Sequence, residues 1–240
     1  MQLTDFSTLT FDCYGTLIDW EAGILAALGP WSARHGLGLD DAALLDAFAR
    51  AEGHQQGAAP GMLYPAVLEN VLAAIAAETG AEASADERAA FGRSVADWPA
   101  FPDSAAALAY LKRHYKLVIL SNVDNESFRH SNRKLGVAFD LILTAQEIGS
   151  YKPDPRNFRA LIDRLGEIGV TRERVLHVAQ SLFHDHVPAR KLGLASCWIN
   201  RRAGRRDGGA TMAPPEPVTP DWEFPTLAAL ADRHRELVGG

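Results

Sequence analysis

The chain has 240 residues and a mass of 26.0 kDa, enough for one buried core with a modest insertion and too little for several large domains. Hydrophobic residues make up 47% and charged residues 22%, a mix that argues against a largely disordered chain and against a membrane protein. Thirty acidic against 24 basic residues leave a formal charge of -6, so neither nucleic acid nor an anionic membrane is an expected partner. Two cysteines, Cys13 and Cys197, stand in apolar runs and cannot build a disulfide framework or a four-ligand zinc site. Met1 to Ser7 shows no basic leader, and no window reaches the roughly 18 apolar residues of a spanning helix. A cytoplasmic location is expected.

Thr8–Cys13 (TLTFDC) reads as a short strand with Asp12 at its polar end, and Gly15 then turns the chain towards a helix over Trp20–Leu28. From Ile18 to about Pro99 the strand signal disappears. Alanine-rich helices are expected over Asp41–Glu52 and Ala66–Glu78, with a loop at Gly57–Tyr64. Two prolines in Trp98–Asp103 (WPAFPD) resist helix and mark the return to the core. A helix over Ser104–His114 precedes a strand at Lys116–Ser121, and a helix over Asn157–Leu165 precedes a strand at Arg174–Gln180. Strands at Ala195–Asn200 and Trp222–Phe224 follow.

This alternation predicts an α/β fold: a doubly wound, Rossmann-like parallel sheet core over residues 1–17 and 100–240, with a helical cap domain inserted over residues 18–99. Ligands of such sheets bind beyond the carboxyl ends of the strands, which brings Asp12, Ser121 and Asp185 to one crevice. Arg201–Thr219, rich in arginine, glycine and proline and diluted by Asp207 and Glu216, reads as a solvated surface loop. The apolar helix Ala66–Ala77 suits either packing on the core, the commoner use, or a homodimer face.

A carboxylate closing a buried strand, as Asp12 does in Asp12-Cys13-Tyr14-Gly15-Thr16, can be a nucleophile, with Gly15 turning the backbone so that amides face an anion. It can equally cap the next turn. Ser121 and Asn122 offer a hydroxyl and an amide for an oxyanion, or cap the strand end. In His184-Asp185-His186, adjacent residues seldom converge on one metal ion. Cys13 reads as a buried small hydrophobe.

FDCYGTLIDWE resembles the haloacid dehalogenase-like hydrolase superfamily, and most of all its 2-haloacid dehalogenase (type II) branch. The resemblance spans nearly the whole chain, continuing with Ser121-Asn122 (ILSN), Lys152 in SYKPDPRNF, Asp185 in VAQSLFHDH, and WINR at Trp198–Arg201. It implies an (S)-2-haloacid dehalogenase-type hydrolase that needs no cofactor, acts on a small-molecule acid, and displaces halide through an aspartyl ester on Asp12. Thr16 would orient Asp12, Ser121 and Asn122 would hold the substrate carboxylate, and Tyr14 and Gln180 would line the substrate. Lys152 would keep Asp12 ionised, and Asp185 would hold Lys152 and position water.

Superfamily phosphatases carry a second aspartate where this chain has Tyr14, a far weaker acid. A halide leaving group needs no such proton. The alternatives are a magnesium-dependent phosphatase, with Asp12 and Asp185 as metal ligands, and a non-catalytic homologue that binds a metabolite. Several positions depart from the dehalogenase pattern. Ala43–Phe48 lacks the cap arginine that receives halide, although Arg50 and Arg34 lie near enough to reach inward. Phe158 replaces a tyrosine, and Gln180 and Leu182 replace a serine and an asparagine. These changes ring the substrate and also fit a sub-branch with a different halide cradle, one accepting fluoride.

Overall fold

A computed structural model describes residues 1–204 and 209–239; Asp207, part of the expected surface loop, lies outside the described residues. The elements in chain order are β1 (Thr8–Phe11), α1 (Trp20–Arg34), α2 (Asp41–Ala58), α3 (Tyr64–Thr79), α4 (Ala85–Arg93) and α5 (Ser104–Leu111). After these come β2 (Lys116–Ser121), α6 (Asn125–Leu135), β3 (Leu141–Thr144), α7 (Ala145–Ile148), α8 (Pro155–Glu167) and β4 (Val175–Ala179). The chain closes with α9 (Val187–Lys191), β5 (Ala195–Ile199), β6 (Trp222–Phe224) and α10 (Leu227–Gly239).

The six strands form one parallel sheet in the order β3-β2-β1-β4-β5-β6. β1 lies between β2 and β4, with Leu9 opposite Leu117 on one side and Leu176 on the other. Strand order reverses there, so the crevice expected of a doubly wound sheet opens beyond the carboxyl end of β1. Every residue of β1 and β4 is buried, which explains why both strands show in the sequence as short unbroken runs. β1 stops at Phe11, short of the expected Cys13, because the Leu17 and Ile18 amides both donate to the Cys13 carbonyl (2.7 and 2.9 Å) and draw that residue into a turn. β3 escaped the sequence reading: it is a four-residue edge strand whose first two residues are only half-buried.

Between β1 and β2 the chain builds α1 to α4. Asp40 caps α2 by accepting from the Ala43 amide at 2.8 Å, and Ser84 and Glu87 form a reciprocal capping box on α4. α2 runs on to Ala58 and α3 begins at Tyr64, so the loop expected from Gly57 to Tyr64 is shorter at both ends. The chain leaves and re-enters at one place, where the Asp19 amide donates to Pro99 O (2.8 Å) and the Phe101 amide to Leu17 O (3.0 Å). The apolar face of α3, including Val67, Leu68, Val71 and Ile75, is buried within the chain. It therefore serves internal packing, continuous with the apolar cluster on the sheet. Among the described residues no helix is long and apolar enough to cross a membrane.

Trp98 is the wedge at this junction, fully buried and edge-on to both Tyr14 (5.6 Å) and Tyr64 (6.3 Å). It leaves no room for a side chain at Gly23 of α1, where a Cβ would lie 2.3 Å from two of its ring atoms. Alanine inside a helix ordinarily gains about 1 kcal/mol over glycine. Here the overpacking reverses the sign, and Gly23→Ala is expected to destabilise by about 1–3 kcal/mol. The measurement is the urea midpoint at unchanged slope; a higher midpoint would mean that Trp98 shifts freely.

Candidate active site

The crevice at the end of β1 holds three buried charged side chains. Lys152 Nζ donates to Asp12 Oδ1 at 2.9 Å, to Asp185 Oδ1 at 2.7 Å and to the Leu120 carbonyl at 3.0 Å, and its side chain is only 1% exposed. The second oxygen of Asp12, Oδ2, accepts from the Thr16 hydroxyl at 2.7 Å, and that hydroxyl in turn accepts from the Gln180 amide at 2.9 Å. Both oxygens of Asp12 are thus oriented, one by a cation and one by a neutral donor. Gly15 permits this turn with φ of +88°, and a Cβ there would press on Gln180 and Trp20 at 3.1 Å. Its own amide donates to Ile18 O at 2.8 Å, which closes the turn.

The electrostatics follow from one ammonium between two carboxylates. Burial is the largest influence on Asp12 and raises its pKa above the ordinary carboxylate range, against the opposing pull of Lys152 and with added repulsion from Asp185. Burial also acts to raise Asp185, but Lys152 and a hydrogen bond from His177 outweigh it and hold that carboxyl well below the usual range. Lys152 is pulled down by burial and up by the two carboxylates, which prevail.

The sequence model of the haloacid dehalogenase-like hydrolase family matches residues 6–181, a stretch that carries Asp12, Thr16 and Lys152. The chain belongs to this family. It is 31% identical over 140 residues to the (S)-2-haloacid dehalogenase of Pseudomonas sp. (strain YL), covering 58% of this chain and 55% of that one. It is 28% identical over 131 residues to the pyrimidine 5′-nucleotidase YjjG of Escherichia coli, covering 54% of each. The chain spans about half the length of the curated relatives it matches. A defluorinating L-2-haloacid dehalogenase of solved structure superposes with a TM-score of 0.77 over 98% of both chains at 23% identity, a likeness of fold.

Within this haloacid dehalogenase-like hydrolase the other expected residues lie around Asp12, some with duties the sequence did not suggest. Asn122 clamps the lysine loop: its Oδ1 accepts from the Lys152 amide at 2.6 Å and its Nδ2 donates to the Lys152 carbonyl at 3.0 Å. Ser121 Oγ is buried with no hydrogen-bond partner among the described residues. Tyr14 lines the cavity with its ring, while its hydroxyl is paired with Ser131 of α6 at 3.0 Å. Gln180 lines it too, and its Oε1 accepts from Thr211 at 3.0 Å. Arg201 ties the motif together from behind, donating to the Thr16 carbonyl and to Asp103, each at 2.8 Å.

Neither cap arginine reaches inward. Arg50 pairs with Asp46 and Glu78 and Arg34 pairs with Glu87, all on the surface. His186 turns away to the Ala179 carbonyl at 3.0 Å, whereas His184 lines the cavity and is neutral near pH 7 because burial lowers its pKa to about 4. The segment read as a solvated loop is in part a wall of the site: Ala210 is buried, its amide donates to Glu21 at 2.8 Å, and Thr211 lines the cavity.

Three residues at the site went unread in the sequence. His177 on β4 is wholly buried, with Nε2 3.0 Å from Asp185 Oδ1 and Nδ1 2.8 Å from the Thr10 hydroxyl. Facing a carboxylate, Nε2 carries the proton, so Nδ1 accepts from Thr10. Phe158, the replacement for a family tyrosine, packs edge-on against this imidazole at 5.0 Å. Glu52 of α2 and Tyr64 of α3 line the same cavity as Asp12 from the cap, the Tyr64 hydroxyl donating to Glu52 Oε1 at 2.6 Å. The cavity they share with Asp12 measures about 30 Å³, room for roughly two waters.

Proposed function

We infer that the protein hydrolyses a carbon–halide bond of a small (S)-2-halocarboxylic acid. Asp12 attacks the carbon, the carbon–halogen bond breaks with its electron pair leaving on the halide, and an aspartyl ester forms. Water then adds to the ester carbonyl, releasing the hydroxy acid and returning Asp12 to its carboxylate. The observation that carries the reading is the orientation of both Asp12 oxygens, by Lys152 at 2.9 Å and Thr16 at 2.7 Å, in a site where Tyr14 has its hydroxyl engaged elsewhere. Asp185 Oδ2, buried and without a partner among the described residues, is the acceptor available to the attacking water. The relatives named as dehalogenases support the same reading.

A magnesium-dependent phosphatase would place its ion on Asp12 and Asp185. The donor set here does not fit that ion, since Lys152 Nζ binds Oδ1 of both carboxylates and His177 shares the same oxygen of Asp185. A chelator arm in the assay tests the alternative directly.

The decisive experiment is a single turnover in heavy-oxygen water with a 2-halocarboxylate and excess enzyme. Hydrolysis at the ester carbonyl places the label in Asp12, read by mass spectrometry of its peptide. Label found only in the hydroxy acid would mean direct attack of water on carbon and would remove the covalent step.

A further inference from the structure

Resting on the displacement reading above, we propose that Glu52 is a catalytic residue whose neutral carboxyl donates a hydrogen bond to the departing halide, taking the place of the absent cap arginine, and that this fits the enzyme to fluorinated substrates. In-line displacement sends the leaving atom away from Asp12, across the cavity towards the wall built by α2 and α3. The groups on that wall are Glu52, Gln56 and Tyr64, and no arginine is among them. A bare carboxylate there would repel an anion. A neutral carboxyl instead offers it a hydrogen bond.

The surroundings of Glu52 favour the neutral form. The residue is 5% exposed, and burial pushes its pKa up to about 7 against the single hydrogen bond from Tyr64, which favours the anion. It hydrogen-bonds Tyr64 of α3 and interacts with Tyr151 on the core side, both weak acids. Across the cavity are His184 and the cluster of Lys152, Asp12 and Asp185, whose ammonium is already bound to both carboxylates. Oε1 accepts from Tyr64, and Oε2 carries no hydrogen bond among the described residues. The Tyr64 ring also stacks on Tyr14 at 6.4 Å, joining the acid to the nucleophile loop.

The step balances without a further reactant. The Asp12 carboxylate forms the ester bond, the carbon–fluorine bond breaks with its electron pair on fluoride, and the Glu52 carboxyl donates a hydrogen bond to that fluoride while keeping its proton. Ester hydrolysis consumes one water, yields the hydroxy acid and the Asp12 carboxylate, and releases one proton to solvent. Fluoride is the strongest hydrogen-bond acceptor among the halides and gains most from this contact, whereas bromide departs with little help.

The test compares fluoride release from fluoroacetate with bromide release from bromoacetate, as pH profiles, for wild type, Glu52→Gln and Tyr64→Phe, with thermal melts to verify folding. Wild type should lose fluoride-releasing activity as pH rises through the Glu52 transition. Glu52→Gln, a weaker donor, should release fluoride about tenfold more slowly, lose that alkaline limb, and release bromide within about threefold of wild type. Tyr64→Phe removes the bond that favours the anion, so its alkaline limb should move to higher pH; this variant decides the matter if Glu52→Gln does not fold. Equal losses for both halides, an unmoved limb in folded variants, or bromide release by wild type without fluoride release would each overturn the role of Glu52. Release of neither halide by wild type would instead remove the displacement reading, and this inference with it.

Discussion

Asp12→Asn is expected to abolish turnover, on the order of 10⁴-fold or more, in a protein at least as stable as wild type. The loss of activity follows because an amide nitrogen or oxygen cannot form the ester. The stability follows from linkage. An acid whose folded pKa lies above its unfolded value gives stability that is present below the unfolded pKa and is lost as pH rises through the folded one. Burial places Asp12 in that class, with the attraction of Lys152 only partly offsetting it. At neutral pH the ionised Asp12 therefore costs stability, and asparagine removes that cost while keeping polar contacts to Thr16 and Lys152. Lys152 remains paired with Asp185 at 2.7 Å, so no buried cation is stranded. Halide release and a thermal melt on the same sample check both halves. An active variant would take Asp12 out of the chemistry, and an inactive variant with a lowered melt would mean that its carboxylate holds the fold.

Lys152→Met should be damaging in both respects, costing about 3–5 kcal/mol of stability and about 10²–10³-fold in rate. Methionine has a similar length and fills the space, so the expected loss is electrostatic. Removing the ammonium leaves Asp12 and Asp185, both buried, facing each other across the site that Nζ occupied. Asp185 is held low because Lys152 and His177 outweigh its burial; its contribution to stability is present above the unfolded pKa and is lost as pH falls through the folded one. Without Lys152 that contribution shrinks, and one carboxyl takes up a proton to relieve the repulsion. The gap between variant and wild type should therefore narrow in acid. Urea unfolding at pH 7 and pH 5 reads this, and equal stability at pH 7 would show that the ammonium is not what permits the two carboxylates to be buried together.

The opposite outcomes expected at Asp12 and Lys152 arise from a cluster that was largely legible in the sequence. Asp12, with Thr16 four residues on, and Asp185 lie far apart in the chain but each follows a buried strand, and a parallel sheet must bring its carboxyl ends to one edge; Lys152 lies beyond the half-buried β3 and was legible from its motif alone. Strands buried on both faces show as unbroken apolar runs, so the core and the place of the crevice could be read directly. β3 could not, being a half-buried edge strand with no such run. Short-range signals misled in the Arg201–Thr219 segment, where composition indicates solvent but Thr211 reaches Gln180 and the Ala210 amide reaches Glu21.

The sequence by itself determined the parallel α/β core, the inserted helices and the places of Asp12 and Lys152, because these depend on local pattern and motif order. Tertiary structure alone decided what surrounds the reacting atom. His177 was one polar residue in an apolar strand until the fold put Asp185 at 3.0 Å from it. Glu52 was one more charge on an alanine-rich helix until Tyr64 and the core closed over it. Burial and charge pairing are set by residues distant in the chain, and the packing of α2 and α3 turns what reads as an ordinary surface glutamate into a buried carboxyl on the cavity it shares with Asp12.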